Sequence, residues 1–542
     1  MKVNRKSILM AAALLLGTSS AQAQMALQQD SQEALRKLSI AEMAVKSLYV
    51  DDVDEKKLVE DAIRGMLEKL DPHSTYSTPK ETKEMTEPLN GSFEGIGVQF
   101  NMVEDTLIVI QPTLGGPSEK VGIIAGDRIV AVADTAIAGV KMSKEEIMRR
   151  LRGPKGTIAH LKVVRQGIRD TLRFDVKRDK IPVHSIDAAY MLRPGIGYIR
   201  IGSFSATTYH EFMESLKKLQ QEGMRDLVLD LQENGGGYLQ AAADLAGEFL
   251  NQGDLIVYTE GRRVQRSDYH ARGGGSFLLK KGKKGQPDEG RVVVLVDQYT
   301  ASAAEIVTGA IQDQDRGLVV GRRTFGKGLV QRPISFDDGS MIRLTVAHYY
   351  TPSGRCIQKP YKKGDKRDYA MDIVNRLKSG ELIHEDSIHF ADSLKYYTLR
   401  QHRVVYGGGG IMPDYFIPLD TTRYTRLHRE LAAKSIVIQQ NLRYVDQHRA
   451  ELRLQYPDFA AFKAGYNVPQ SLIDAIMADG EKQNIKPRDD EELRQTLPML
   501  RLQLKALIAR DLWDMSEYFS VMNEENDAVN KALELLGEMR NK

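Results

Sequence analysis

The sequence predicts a multidomain α/β protein with a small β-rich domain inserted ahead of an α/β core and helical segments at both ends. Three observations predict it. Residues 91–180 alternate short strands with glycine turns, and one helix interrupts them. Two short apolar strands, 226–231 and 291–297, each pass through a turn into a helix, at 238–250 and 303–312. Strand–turn–helix units of this kind build a layered sheet whose working edge lies at the strand C-termini. Finally, apolar residues recur at helical spacing through 32–70 and again through 421–542. At 542 residues the chain exceeds what one hydrophobic core supports, so three or four structural units are expected.

The elements follow in order. Lys2, Arg5 and Lys6 precede an apolar run at 8–17 and the small-x-small triplet Ala21-Gln22-Ala23. This is the pattern of a secretory signal cut after Ala23, with an apolar run too short to span a bilayer. No cysteine stands at the cleavage point, which argues against a lipid anchor, and no later segment approaches a transmembrane length. The expected location is therefore outside the cytoplasm, in a periplasm or cell envelope, without a membrane span. Cys356 is the one cysteine, so no internal disulfide is available. Residues 32–70 read as two helices closed by Asp71-Pro72. In the β-rich stretch, Ser143 and Glu146 have capping-box spacing at the head of a helix from 144, which ends at Gly153-Pro154. Residues 272–290 are rich in Gly and Lys and read as a mobile surface loop. The net charge is +3 and no basic stripe is present, so no nucleic-acid partner is expected. The terminal residues 421–542 read as a helical appendage without chemistry.

Two residues carry candidate chemistry. Ser302 lies where the strand 291–297 turns into a helix, a placement that exposes a hydroxyl beside free backbone amides. The amide of Ala303 and those of the glycine turn 235–237, Gly236 and Gly237 among them, are candidates for an oxyanion hole. No histidine stands in a persuasive setting for a base. Lys327, between Gly326 and Gly328 with Phe325 and Leu329 beyond, reads as a desolvated amine. Burial lowers a lysine pKa toward the range a general base needs. If 327–331 is a strand, Gln331 shares the face of Lys327 and its amide oxygen can hold the amine. Taken alone, these residues equally suit a loop serine, a snorkelling lysine and a strand glutamine. No metal or other cofactor is required by this chemistry.

At these residues the sequence resembles the carboxyl-terminal processing proteases, also called tail-specific proteases. The stretch YTASAAEIVTGAIQDQDRGLVVGRRTFGKGLVQ at 299–331 carries the resemblance, with the serine and lysine 25 positions apart (327 − 302 = 25). The resemblance implies Ser302 as nucleophile, Lys327 as base, Gln331 as its helper, and a supporting part for Asp313. LDLQENGGG at 229–237 resembles the family's oxyanion segment, with Gln232 where arginine is usual and Gly235 where proline is common. Further matches are YVDDVDEKKLVEDAIRGMLEKLDPHS at 49–74 and GGGGIMPD at 407–414.

The resemblance also implies a core of the crotonase and Clp-protease layer arrangement, and names the inserted domain as a PDZ domain. Such domains take a peptide C-terminus as an added strand. Gly95, Ile96, Gly97 and Val98 resemble the carboxylate-cradling loop, and Ile147 and Leu151 are expected to wall an apolar side-chain pocket. The expected organisation is a signal peptide at 1–23, a helical segment at 24–88, a PDZ domain at 89–180, a serine protease core at 181–420 and a helical extension at 421–542. The expected function is an exported endopeptidase acting through an acyl-enzyme on unstructured or misfolded proteins with apolar C-termini. A homodimer through the terminal helices is a further expectation. The rival reading is a noncatalytic PDZ-bearing chaperone or scaffold of the cell envelope.

Overall fold

The computed structural model describes residues 32–273, 275–281 and 289–541. The expected signal segment lies outside the described residues. Helices at 32–48 and Glu55–Glu68 open the chain, the second capped by Asp54, whose carboxylate accepts from the Lys57 amide. Helix Pro79–Leu89 begins with a full capping box between Thr78 and Glu81, a start that the sequence reading passed over.

The β-rich insertion is a sheet of Val98–Val103, Thr106–Pro112, Arg128–Val132, Ile158–Val164 and Leu172–Lys177, with helix Lys144–Leu151 beside it. Half of the expected capping box forms. Ser143 accepts from the Glu146 amide, while the Glu146 carboxylate turns to Arg149 and Arg150. The segments that enter and leave the insertion pair with each other, Ser92–Gly95 against Asp179–Pro182. That antiparallel ribbon is the stem on which the domain stands. Ile147 and Leu151 differ from expectation. They are 0% and 4% exposed and fill the domain core with Leu107, Val109, Ile129 and Val163, so in this conformation they wall no open pocket.

The α/β core is a six-stranded sheet in the order Ile186–Arg193, Ile196–Ile201, Asp226–Asp230, Val292–Val296, Leu318–Gly321, Tyr415–Phe416. The first pair is antiparallel and the rest are parallel. Strand side chains alternate between two buried faces, which is why these strands read as unbroken apolar runs. Leu227, Leu229, Val292 and Val294 meet helices Thr208–Gln221, Leu239–Gly247 and Ala303–Asp313. Val228, Val293, Leu295 and Tyr198 meet the last helix of the chain, Asp527–Asn541, through Val529, Ala532, Leu533 and Leu536. The C-terminal stretch is therefore more than an appendage: its final helix closes the second face of the sheet. The preceding helices, from Arg426–Ala433 to Met515–Met522, form their own bundle around Leu431, Ile476, Leu504 and Ile508.

A second sheet flanks the first, with Met341–Tyr350 pairing with Leu329–Ser335, Thr75–Ser77 and Leu255–Glu260. The described part of the glycine-rich segment is packed rather than loose. Phe277 is buried against Phe249, and its amide donates to the Glu248 carbonyl.

Candidate active site

Ser302 caps helix Ala303–Asp313 with φ 57° and ψ −115°, a backbone region that non-glycine residues rarely occupy. The strain is held by hydrogen bonds on both sides. Ahead of it, the Ala301 amide donates to the Asn234 carbonyl (2.9 Å). The Ser302 amide itself donates to Glu305 Oε2 (2.8 Å). The glycine turn lies against this turn. Gly236 has φ +97°, and a Cβ there would stand 2.8 Å from Ser302 Cβ and 2.9 Å from the Ala303 nitrogen. Only a residue without a side chain allows that approach.

The two candidate glycine donors differ. The Gly236 amide donates to Asn234 Oδ1 (2.8 Å), so it is engaged within the turn. Gly236 thus supplies space rather than an oxyanion donor, a correction to the sequence reading. The Ala303 amide opens the helix, where no intrahelical acceptor exists. Gly237 bridges to Phe204 through its neighbours, by Phe204 N to Gly236 O and Tyr238 N to Phe204 O. Among the described residues, the Gly237 and Ala303 amides donate to no protein acceptor, and both residues line the cavity described below.

Lys327 enters from a loop tied to the serine turn. Glu305 is fully buried and accepts from Thr324 Oγ1 (2.5 Å) and the amides of Gly326 (2.8 Å) and Lys327 (2.9 Å), besides Ser302. One carboxylate therefore staples the nucleophile turn to the lysine loop. Burial pushes its pKa above the ordinary carboxylate value, opposed by these donors. Tyr349 adds a second staple, its hydroxyl lying 3.0 Å from the Ser302 carbonyl and 2.6 Å from the Lys327 carbonyl. Behind the loop, Gly326 (φ +84°) lies against Gly410, and Thr324 Oγ1 accepts from the Ile411 amide (2.6 Å). The GGGGIMPD stretch thus braces the lysine loop from outside.

Ser302 and Lys327 both line a cavity of about 420 Å³ with Gly235–Leu239, Gln331, Arg343 and, from helix Pro79–Leu89, Met85, Thr86 and Leu89. Burial pushes the Lys327 amine down to about 8, and the positive charge of Arg343 acts in the same direction. His73 stands close enough to feel Lys327. Desolvation first, and then the lysine charge, hold its pKa down to about 4. Its Nε2 is 2.9 Å from the Tyr369 hydroxyl.

The structure does not bring every predicted residue together. The strand begins at Leu329, two residues after Lys327, and its register shifts between Val330 and Gln331. The shared strand face expected for 327, 329 and 331 is therefore absent. Gln331 lines the cavity, its amide nitrogen donating to the Leu329 carbonyl (3.3 Å). Asp313 lies eleven residues along the helix from Ser302, about 16 Å by helical rise. It is buried in an ion pair with Arg355 (2.6 Å) and accepts from the Ser353 hydroxyl (2.6 Å), so its support of the site is structural. Asn234, Glu305, Tyr349 and Arg343 were missed. Glu305 had a legible signal, because Ser302-Ala-Ala-Glu305 has the same capping-box spacing as Ser143 and Glu146.

Comparison with known proteins shows the family. Residues 195–370 match peptidase family S41, 95–179 match the PDZ domain, and 7–82 match the activating protease CtpB N-terminal domain. Residues 427–514 match a family of unknown function. Carboxy-terminal processing protease CtpA of Bacillus subtilis is 35% identical over 354 residues, which are 64% of this chain and 73% of that one. A carboxy-terminal-processing protease of Bartonella bacilliformis is 36% identical over 321 residues, 58% of this chain and 70% of that one. The solved photosystem II D1 C-terminal processing protease is 31% identical, covering 59% of this chain and 89% of that one, with a TM-score of 0.32. The fold and site define a serine-type peptidase with a PDZ domain. Within that class, the chain belongs to the carboxy-terminal processing proteases of peptidase family S41.

Proposed function

We propose that Ser302 and Lys327 form the catalytic dyad of an exported endopeptidase that hydrolyses proteins presented by an apolar C-terminal tail. The observation that carries this reading is the meeting, in one cavity, of a strained serine at a helix N-terminus and a largely buried lysine whose pKa falls to about 8. Neutral Lys327 takes the Ser302 hydroxyl proton as Oγ attacks the scissile carbonyl. The tetrahedral oxyanion is held by the Ala303 and Gly237 amides. The protonated lysine then passes its proton to the leaving amine, and water hydrolyses the acyl-enzyme with Lys327 again as base. Glu305 and Tyr349 keep the two catalytic turns in register.

Binding of the tail falls to the PDZ domain, whose Gly95–Val98 segment is the candidate carboxylate cradle. Export rests on the basic, apolar and small-residue sequence of the first 23 positions. Among the described residues, no helix is long and apolar enough to cross a membrane. The test is labelling with a fluorophosphonate probe together with turnover of an unstructured, apolar-tailed substrate. Ser302→Ala is expected to lose both, and Lys327→Ala to lose turnover. Wild-type-like turnover by either variant would sink the dyad.

A further inference from the structure

Among the described residues, Arg343 is the one other cation in the cavity wall, and its setting is unlike that of the buried arginines elsewhere. It lies in strand Met341–Tyr350, opposite Pro333, with Thr345 opposite Gln331. Period-two alternation places Arg343 on the same side as Gln331, Pro333 and Met341, and all four line the cavity with Ser302 and Lys327. Among the described residues, neither aspartate nor glutamate lines this cavity.

Arg200, Arg291 and Arg355 each face a buried carboxylate, those of Asp230, Asp226 and Asp313, at 2.6–3.0 Å. Arg316 is met by three backbone carbonyls. Among the described residues, Arg343 has no such partner; its Nε is buried without a hydrogen bond, as are those of Arg200 and Arg355, so what sets Arg343 apart is the missing carboxylate or carbonyl. Asp71, whose charge acts on Lys327 after that of Glu305, is already engaged. It accepts from the His73 and Ser74 amides and from the Ser74 and Thr345 hydroxyls. Arg343 is half-buried, a guanidinium without a counter-ion there keeps part of its desolvation cost, and a carboxylate brought to it forms a bidentate, charge-assisted pair.

We infer that Arg343 is a carboxylate-receiving subsite beside the nucleophile, which favours cleavage of peptide bonds that carry a carboxylate within its reach. The inference rests on the cavity being the active site, as read above. Two sources share this chemistry: the α-carboxylate of the substrate and an Asp or Glu side chain near the scissile bond.

The test uses the full-length enzyme and short fluorogenic peptides of one apolar sequence. One arm is neutral and amidated, a second has a free α-carboxylate, and a third is amidated with Glu, or Gln as control, moved along each side of the scissile bond. The wild-type enzyme is expected to favour at least one carboxylate arm over its neutral counterpart by about tenfold or more in kcat/KM. Arg343→Met should bring that ratio close to one, and Arg343→Lys should keep part of it. The ratio cancels any change common to all peptides, including one in the dyad itself. The responding arm identifies the source.

A wild-type ratio near one on every arm overturns the inference, as does a preference that survives Arg343→Met. If Arg343→Met fails to fold, the wild-type ratio and Arg343→Lys decide. Failure of the underlying reading looks different. There, Ser302→Ala would still cleave the peptides. If Ser302→Ala is silent, Arg343→Met still takes the fluorophosphonate label, and the ratio does not move, only the subsite is lost.

Discussion

Lys327 is kept where a charge is unwelcome, and that sets both its chemistry and its cost. Its pKa falls from 10.5 to about 8 because burial disfavours the ammonium. Between these values the unfolded chain still holds a proton that the folded chain has released, so this group makes stability rise with pH across that window. Below pH 8 both states are protonated, and the folded protein carries the whole penalty, roughly 3 kcal/mol at 1.36 kcal/mol per pKa unit. Lys327→Met is therefore expected to abolish turnover while raising the thermal midpoint at pH 7, as read by calorimetry. An unchanged or lower midpoint would mean that the lysine is not the strained residue described. For the wild-type enzyme, kcat/KM should climb with pH up to about 8 and then level as the amine loses its proton. A profile that is flat from pH 6 to 9 would exclude Lys327 as the base.

At the scale of elements, the site consists of two turns joined by a buried carboxylate. The serine turn and the lysine loop each give backbone amides to Glu305, and the Phe325 amide donates to the Thr300 carbonyl (2.9 Å). Glu305→Gln keeps the shape but replaces an acceptor pair with one acceptor and one donor facing amides that need acceptors. The expected loss is about 2–4 kcal/mol of stability by denaturant titration, together with slower acylation. Glu305 reaches the serine through the backbone, so it is a positioning residue. The variant should lower kcat far more than it raises KM, and an equal effect on both would argue for a substrate contact instead. Gly236→Ala tests the other side of the turn. Its Cβ would meet Ser302 Cβ at 2.8 Å and sit at φ +97°, so the serine must move. A fall in kcat of about a hundredfold or more is expected, the scale seen when an oxyanion arrangement is disturbed.

The whole molecule is held by contacts between segments far apart in the chain. The last helix covers one face of the protease sheet with Val529, Leu533, Leu535 and Leu536. Burial of four such side chains contributes on the order of 10 kcal/mol, comparable to the entire stability of a domain. Truncation before Asp527 should therefore give insoluble or unfolded protein rather than a trimmed enzyme, as judged by recovery and circular dichroism. The helical bundle also touches the PDZ domain. Leu442 packs on Val103 and Ile108, and Arg128 pairs with Asp446 (2.5 Å). Much of this was legible in the chain. The strands 226–231 and 291–297 declared themselves because both faces are buried, and the serine turn because a helix starts there. Ser302 and Lys327 were placed by local chemistry and by family spacing. The sequence by itself determined the layer arrangement and the inserted β-rich domain, and it singled out Ser302 and Lys327 as the candidate dyad, since these depend on periodicity and on residues close in the chain. Only the tertiary structure decided that Gly236 gives space while Gly237 keeps a free amide, that Asp313 faces Arg355, that Glu305 joins the two turns, and that the last helix belongs to the core. Each of these is a pairing of segments tens to hundreds of residues apart, settled by which buried polar groups find partners and which apolar faces find cover, and local periodicity carries no record of that choice.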